Sequence, residues 1–204
     1  MKIIFILIFI CSFLSSKEDI FLQINTAGHK SIIRDIIITK DKDIITASDD
    51  KTVKVWDSKT GKEKRTFLGE MQTGSNGKVF AIALTPDENY LAIGGFLYGV
   101  NSESFIRIYN YQTGKLLRVL NNHNNVIDDL SFSPNGQYLV SSSTDTVTNI
   151  WEVNNNFNLF DTIEFKKCDT SELGEISRIN SKIISYQNSK YIVATGFDNK
   201  IVLY

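Results

Sequence analysis

The sequence predicts an all-β protein of about four repeated units, each a sheet of four antiparallel strands, with the last unit incomplete. Short runs of alternating apolar and polar residues, typical of half-buried strands, are separated by turn residues. An aromatic residue also closes one run in each unit, six residues after an acidic residue, at Asp50–Trp56, Glu103–Tyr109, Asp145–Trp151 and Asp198–Tyr204. Self-similarity of this kind indicates a repeat architecture.

A second motif recurs in register with the first. A turn followed by a strand occurs three times, at residues 85–92, 133–140 and 186–193. Two motifs that keep the same order in successive units indicate one supersecondary element repeated along the chain.

The best-formed unit runs from Gly28 to Leu68. It opens with Gly28-His29 and ends its third strand with Trp56-Asp57, while the third unit contains a Ser-Pro-Asn-Gly turn at 133–136. In these features the chain resembles the WD40 family, whose members form β-propellers of four-stranded blades. The resemblance implies a repeat region at 20–204, with blades at approximately 28–68, 79–120, 123–165 and 176–204.

The first blade shows how the strands are assigned. Alternation and turn residues predict its strands at 32–39, 44–48, 52–56 and 63–68. The resemblance further implies that residues 20–24 supply the outer strand of the last blade and close the ring, which removes open sheet edges.

The fourth unit stops at Tyr204, the residue that closes its third strand, so its outer strand is missing from the sequence. WD40 rings commonly contain more than four blades. Three interpretations follow: a partial or truncated propeller, which we favour; a homodimer whose two copies complete one ring; or a four-bladed ring closed by residues 20–24.

Residues 1–16, MKIIFILIFICSFLSS, have one lysine, an apolar run and small polar residues, which is typical of a secretory signal peptide. The run is shorter than the roughly 20 residues of a transmembrane helix. We therefore expect an exported protein, periplasmic or extracellular, with no membrane association after cleavage. The resemblance is accordingly to exported, bacterial-type WD40 proteins. Cleavage would leave Cys168 as the only thiol and exclude an internal disulfide.

Charge and composition argue against several classes of ligand. The 22 basic and 23 acidic side chains give a net charge of -1 and are interspersed, whereas nucleic-acid binding needs a concentrated basic face. The chain has two histidines and two cysteines, without the spacing of a transition-metal site. We expect no nucleic acid, metal or cofactor.

By resemblance, two blades contain a hydrogen-bonded structural tetrad of His, a hydroxyl residue, Asp and Trp. The tetrads are His29, Thr46, Asp50, Trp56 and His123, Ser141, Asp145, Trp151. A Ser-His-Asp hydrolase is the alternative interpretation, but a nucleophile needs neither repetition at blade spacing nor a Trp partner. We therefore expect no catalytic residues and no enzymatic activity, and we expect Trp56 to lie in the core.

Three insertions suggest a binding face. They lie at 69–78, 96–104 and 166–175, in loops that a blade places on one face. Binding residues favour loops on a rigid scaffold, although surface loops also tolerate insertions at little cost. The exposed apolar candidates on this face are Met71, Phe96, Leu97 and Tyr98.

Two functions follow from this organisation. The first is a non-catalytic protein–protein interaction scaffold that is exported and holds a protein or peptide. The alternative is the propeller portion of a larger exported enzyme, such as a peptidase, whose catalytic domain is absent from this chain.

Overall fold

The computed structural model describes residues 28–68, 74–96 and 104–164 in full, and the backbone of three strands at 180–186, 189–195 and 201–203. Within these ranges the chain forms 15 β-strands and one 3₁₀ helix, with no α-helix. The predicted all-β class is confirmed.

The first sheet contains four antiparallel strands in chain order, β1 (Ile33–Ile38), β2 (Ile44–Ser48), β3 (Thr52–Trp56) and β4 (Glu63–Leu68). The strands predicted at 44–48, 52–56 and 63–68 coincide with β2, β3 and β4. The strand predicted at 32–39 is one residue too long at each end.

Two further sheets repeat this arrangement, and a fourth follows it over three strands. The second sheet contains β5 (Val79–Leu84), β6 (Tyr90–Gly95), β7 (Ser104–Asn110) and β8 (Leu116–His123). The third contains β9 (Ile127–Phe132), β10 (Tyr138–Ser143), β11 (Val147–Glu152), the 3₁₀ helix (Val153–Asn155) and β12 (Asn158–Glu164). The fourth contains β13 (Asn180–Tyr186), β14 (Ser189–Thr195) and β15 (Ile201–Leu203).

The sheets pack against one another in chain order. Strands β1 and β2 contact β5, strands β5 and β6 contact β9, and strands β9 and β10 contact β13. Contact through the first strands of successive sheets is the arrangement of blades in a propeller. We therefore call the four sheets blades 1 to 4.

Apolar side chains fill both fully described junctions between blades. Between blades 1 and 2 the core includes Ile45, Val53, Phe67, Val79 and Leu91. Between blades 2 and 3 it includes Ile106, Ile108, Leu130, Leu139 and Trp151. Because strand side chains alternate between faces, each inner blade contributes one face to each junction.

The opposite face of blade 1 remains open to solvent among the described residues. Ile36 and Ile38 on this face are 60% and 69% exposed. Trp56, which pairs with Ile44 beside them, is only partly buried, whereas the matching Trp151 is 4% exposed. The expected core position is therefore wrong for Trp56, because blade 2 covers the other face of its sheet.

Candidate functional site

The blade 1 tetrad lies at the end of the sheet where β2 turns into β3. The His29 ring bonds to the Asp50 carboxylate through Nδ1 at 2.9 Å and to the Thr46 hydroxyl through Nε2 at 2.6 Å. The Trp56 indole N–H donates to the same hydroxyl at 2.7 Å. The structure thus brings the four predicted residues into one hydrogen-bonded group.

The blade 3 tetrad has the same connectivity. His123 Nδ1 lies 3.1 Å from the Asp145 carboxylate, and its Nε2 lies 2.8 Å from the Ser141 hydroxyl. Trp151 donates its indole N–H to that hydroxyl at 2.9 Å. The two groups therefore bridge the chain before the first strand, the second strand, the turn and the third strand.

Donor and acceptor chemistry fixes the direction of the hydrogen bonds in blade 3. An indole N–H can only donate, and an ionised carboxylate can only accept. Ser141 therefore accepts from Trp151 and donates to Nε2 of His123, whose Nδ1 donates to Asp145. The hydroxyl has the connectivity of a Ser-His-Asp triad, but Ser141 is 0% and His123 1% exposed, so neither can meet a substrate.

Both tetrad carboxylates are held in the ionised state. Burial opposes the ionisation of Asp145, but the hydrogen bonds from His123 and from the backbone N–H groups of Asn124 and Val147 hold its pKa below the ordinary value. Burial likewise opposes ionisation of Asp50. There the hydrogen bonds from Thr52, the Lys30 N–H and His29 outweigh burial, so the pKa of Asp50 is also lowered.

Asn149 extends the hydrogen-bonded group of the blade 3 tetrad. The sequence analysis did not identify this residue. This fully buried side chain donates to the carbonyl of Asn122 at 3.2 Å and accepts from the Thr162 hydroxyl at 2.9 Å. The matching residue in blade 1 is Lys54, which binds Glu63 at 2.5 Å. A polar residue in the middle of an apolar strand was the available signal.

Blade 2 has no tetrad. Ile93 occupies the hydroxyl position and is buried between blades 1 and 2. Apolar packing replaces the polar group there. The side chains of blade 4, including Asp198 and Tyr204, lie outside the described residues.

The predicted binding face is described only in part. Met71, Leu97 and Tyr98 lie outside the described residues. Phe96 was expected to be exposed, but it is partly buried, and its ring contacts Phe80 edge to face with centroids 6.1 Å apart. Its carbonyl also accepts a hydrogen bond from Gly77, which holds it beside the chain that enters blade 2.

A cation–aromatic cluster continues from Phe96, and the sequence analysis missed it. Arg34 stacks over Phe80, with its guanidinium carbon 5.0 Å from the ring centre. It also donates through Nε and one terminal nitrogen to the two Asp49 oxygens, at 2.7 Å each. Lys78 lies 3.8 Å from the same carboxylate. The charged Arg34 and Asp49 at one end of two apolar strands were the signal.

Exposure differs across the Arg34–Asp49 pair. The Asp49 side chain is 4% exposed and the Arg34 side chain 27%. The bidentate pair with Asp49 fixes the plane of the guanidinium group, and Phe80 stacks against one face of that plane. The cluster therefore presents a rigid, partly accessible cation beside an aromatic ring, next to the inserted segments.

Two features are absent from the part of the chain that the structure describes. No helix there is long and apolar enough to cross a membrane. No three His, Cys, Asp or Glu side chains in the same part of the chain are grouped so that they could hold a metal ion.

Comparison with known proteins identifies the repeats. The sequence pattern of the family described as WD domain, G-beta repeat matches residues 21–57 and 114–152. These segments contain all eight tetrad residues. The two matched segments are WD40 repeats, and over them the chain is similar to WD40-repeat proteins. Its fold is likewise that of solved WD40 structures: U3-55K superposes with a TM-score of 0.66 over 87% of this chain and 53% of that one, at 19% identity. The RRP9 WD40 repeats superpose with the same score over 52% of that chain.

Two ribosome biogenesis proteins align with most of this chain. The ribosome biogenesis protein WDR12 homolog of Trichoplax adhaerens is 27% identical over 94% of this chain and 40% of that protein. The homolog of Nematostella vectensis is 23% identical over 87% of this chain and 38% of that protein. The chain thus spans about two fifths of the length of these relatives.

The expected export is wrong. The relatives that align along most of the chain are ribosome biogenesis proteins, which work inside cells. The Trichoplax alignment is too long to leave out the whole run 1–16, so part of that run aligns with such a protein. These relatives come from eukaryotes, so the resemblance to a bacterial-type, exported sub-family finds no support. Residues 1–16 themselves lie outside the described residues.

Proposed function

We propose that this chain is a non-catalytic interaction scaffold and that its looped face, the surface around Arg34, Phe80 and Phe96, binds a protein partner. The observation that carries this proposal is the guanidinium group of Arg34, which Asp49 and Phe80 hold in one orientation while it stays partly accessible. Interface energy concentrates at Arg and aromatic side chains that are already ordered before binding.

The tetrads are assigned a structural role in this proposal. Each hydroxyl accepts from a Trp indole and contacts a His ring nitrogen, so both of its neighbours in the tetrad are side chains of the same blade. The burial of Ser141 supports the same role. The named relatives also belong to a family of scaffolds, so the alternative of a larger peptidase-like enzyme gains no support.

The partner is proposed to be a protein of a ribosome-assembly complex. The support is the printed function of the relatives, which are ribosome biogenesis proteins. The net charge of -1 favours a protein over direct contact with RNA. Pairing of two copies into one ring has no observation in its favour.

A site-specific crosslinking experiment tests this proposal. A photo-reactive phenylalanine analogue at Phe96 should capture one protein in extract from the cells that produce the chain. The matched control carries the analogue at Lys59, an exposed residue in the β3–β4 turn on the opposite face. The captured protein, once purified, should bind the Arg34→Ala variant at least about tenfold more weakly than the parent, because a charge-assisted contact is lost.

Three results would contradict the proposal. Equal capture from positions 96 and 59 would mean that the looped face has no specific partner. Unchanged affinity of the folded Arg34→Ala variant would remove the guanidinium from the interface. Hydrolysis of a substrate that requires Ser141 would replace the scaffold with an enzyme.

A further inference from the structure

The two fully described blade junctions contain an arginine at the same position. Arg65 in β4 pairs with Val55, and Arg118 in β8 pairs with Ile108. Each partner directly precedes the aromatic residue that closes the third strand. Both arginines reach towards the turn before the outer strand of the next blade, so they provide an internal comparison within one protein.

At the junction of blades 1 and 2, the arginine is fully engaged. One terminal nitrogen of Arg65 donates to the carbonyl of Tyr111, and the other donates to the carbonyl of Gln112 at 2.8 Å. Two terminal nitrogens of an arginine form a planar pair of donors, here called the fork, which suits bidentate partners. In Arg65 the carbonyl groups of the blade 2 turn occupy this fork.

At the junction of blades 2 and 3, the described residues do not occupy the fork of the arginine. Arg118 donates only through Nε, to the carbonyl of Asn156 at 3.1 Å. Its two terminal nitrogens make no hydrogen bond to any residue that the structure describes. Because Nε is anchored, these two donors are held in a fixed direction at the surface of the junction.

A different turn in blade 3 causes this change. In blades 1 and 2, Asp57 and Asn110 accept hydrogen bonds from a threonine three residues later, and Gly61 and Gly114 adopt the left-handed backbone. Blade 3 has the 3₁₀ helix there instead.

Two consecutive non-glycine residues after the helix, Asn156 and Phe157, each have a φ of 57°. The left-handed backbone is strained for a bulky residue such as Phe157, and such strain concentrates at functional sites. Phe157 is nevertheless buried, and its ring contacts that of Tyr90 edge to face at 5.4 Å.

A cavity of about 480 Å³ lies beside this turn, between the two blades. Its volume falls within the range of roughly 300–1,000 Å³ that is usual for ligand sites. Leu117, Val153 and Phe157 form an apolar floor, and the polar rim consists of Arg118, Asn154 and Asn156. An apolar floor under one oriented cation is complementary to an apolar group that is joined to an anion.

We infer that this cavity binds a short segment of a partner protein in which an Asp or Glu carboxylate follows an apolar side chain. The apolar side chain covers Leu117 and Phe157, and the carboxylate accepts from both terminal nitrogens of Arg118. A planar carboxylate matches that fork, whereas a free inorganic anion would leave the apolar floor uncovered. The inference rests on the proposed scaffold function and adds a second surface to it, away from Phe96.

The probe for this site is the peptide acetyl-Leu-Glu-Leu-amide, added to the isotope-labelled chain and followed by NMR. Backbone signals of residues 117–118 and 153–157 should shift in a saturable way. Acetyl-Leu-Gln-Leu-amide, which has the same shape without the charge, should bind about tenfold more weakly, the effect of one charge-assisted bidentate contact. Inorganic phosphate at the same concentration should not compete.

Matched variants locate the binding. Arg118→Gln should weaken binding of the Glu peptide about tenfold and abolish its preference over the Gln peptide. Arg65→Gln, at the equivalent position with an engaged fork, should leave the affinity unchanged. Leu117→Gln, at a residue that is 42% exposed, should weaken both peptides equally and so tests the apolar floor separately.

Three outcomes would overturn the inference. They are absence of saturable shifts at 117–118 and 153–157, equal affinity for the Glu and Gln peptides, and displacement of the peptide by phosphate. None of them affects capture of a protein at Phe96, so failure here is distinguishable from failure of the proposed scaffold function.

Discussion

The Asp35 carboxylate in β1 accepts a hydrogen bond from the backbone N–H of Ile82 in β5, at 2.8 Å across the junction of blades 1 and 2. Ile82 lies on the first strand of its sheet, whose inner edge pairs with no strand in the sheet. The other Asp35 oxygen accepts from the N–H of Ile36 at 2.7 Å. One side chain thus satisfies the edge of the next blade and fixes its distance from blade 1.

Asp35→Ala should lower the free energy of unfolding by about 1–3 kcal/mol, because the N–H of the buried Ile82 loses its acceptor. Urea unfolding followed by circular dichroism measures the change. Asp35→Asn, which keeps one acceptor oxygen, should lose less. Equal stability of the Ala variant and the parent would show that the bond between blades contributes nothing.

Trp151→Ala should be much more destabilising than Trp56→Ala. Trp151 is buried against blade 2, so its removal should cost about 3–5 kcal/mol, the usual range for a buried large aromatic. Trp56 is partly exposed on the open face of blade 1 and should cost less. Thermal unfolding of both variants provides the comparison, and a greater loss for Trp56→Ala would mean that the open face is covered in solution.

The sequence predicts well what local physics determines. Alternating residues between Asp, Gly and Asn turns are enough to locate β2, β3 and β4 to the residue. The exposure of Trp56 is not predictable in the same way, because it depends on which face of the sheet a neighbouring blade covers. Trp56 and Trp151 occupy the same position in the sequence repeat and are therefore predicted to be equally buried. In the structure only Trp151 has a neighbouring blade packed against it.

The site is less accessible to sequence reasoning. Arg34 and Asp49 belong to different strands and meet because β1 pairs with β2, so their spacing along the chain carries no motif. The free fork of Arg118 depends on a turn whose Asn-rich sequence predicts a loop but not two left-handed residues in succession. The apolar run 1–16 matches the pattern of a signal peptide, and only the relatives contradict export.

Acid should destabilise the fold through the tetrads. Because the pKa values of Asp50 and Asp145 are lowered below the ordinary 3.8, the folded state binds fewer protons than the unfolded state as the pH falls past that value. Their contribution is present above the unfolded value and disappears as the pH falls through the folded values. Urea unfolding at a series of pH values should show this loss.

Asp145→Asn is the control for the acid effect. It keeps an acceptor for His123 but cannot ionise, so stability should depend less on pH between about 5 and 2. Asp35 works in the opposite sense, because burial outweighs the hydrogen bonds from Ile82 and Ile36 and raises its pKa. Its ionisation therefore lowers stability as the pH rises through the folded value. An unchanged acid slope in Asp145→Asn would assign the effect to other carboxylates.

Thr146→Gly should stabilise the chain. Thr146 has a φ of 71° in the β10–β11 turn, where its N–H donates to the Ser143 carbonyl at 3.2 Å. A β-branched residue is a steric outlier in this region, and glycine is not. Relief of about 1–2 kcal/mol of strain should exceed the roughly 0.4–1 kcal/mol of added freedom in the unfolded chain. The net gain is therefore small and positive.

Lys51, at the same turn position of blade 1 with a φ of 72°, is not β-branched, so Lys51→Gly should gain less. Thermal unfolding of the two variants side by side tests the order, and destabilisation by Thr146→Gly would show that the threonine side chain contributes more to the turn than its strain removes.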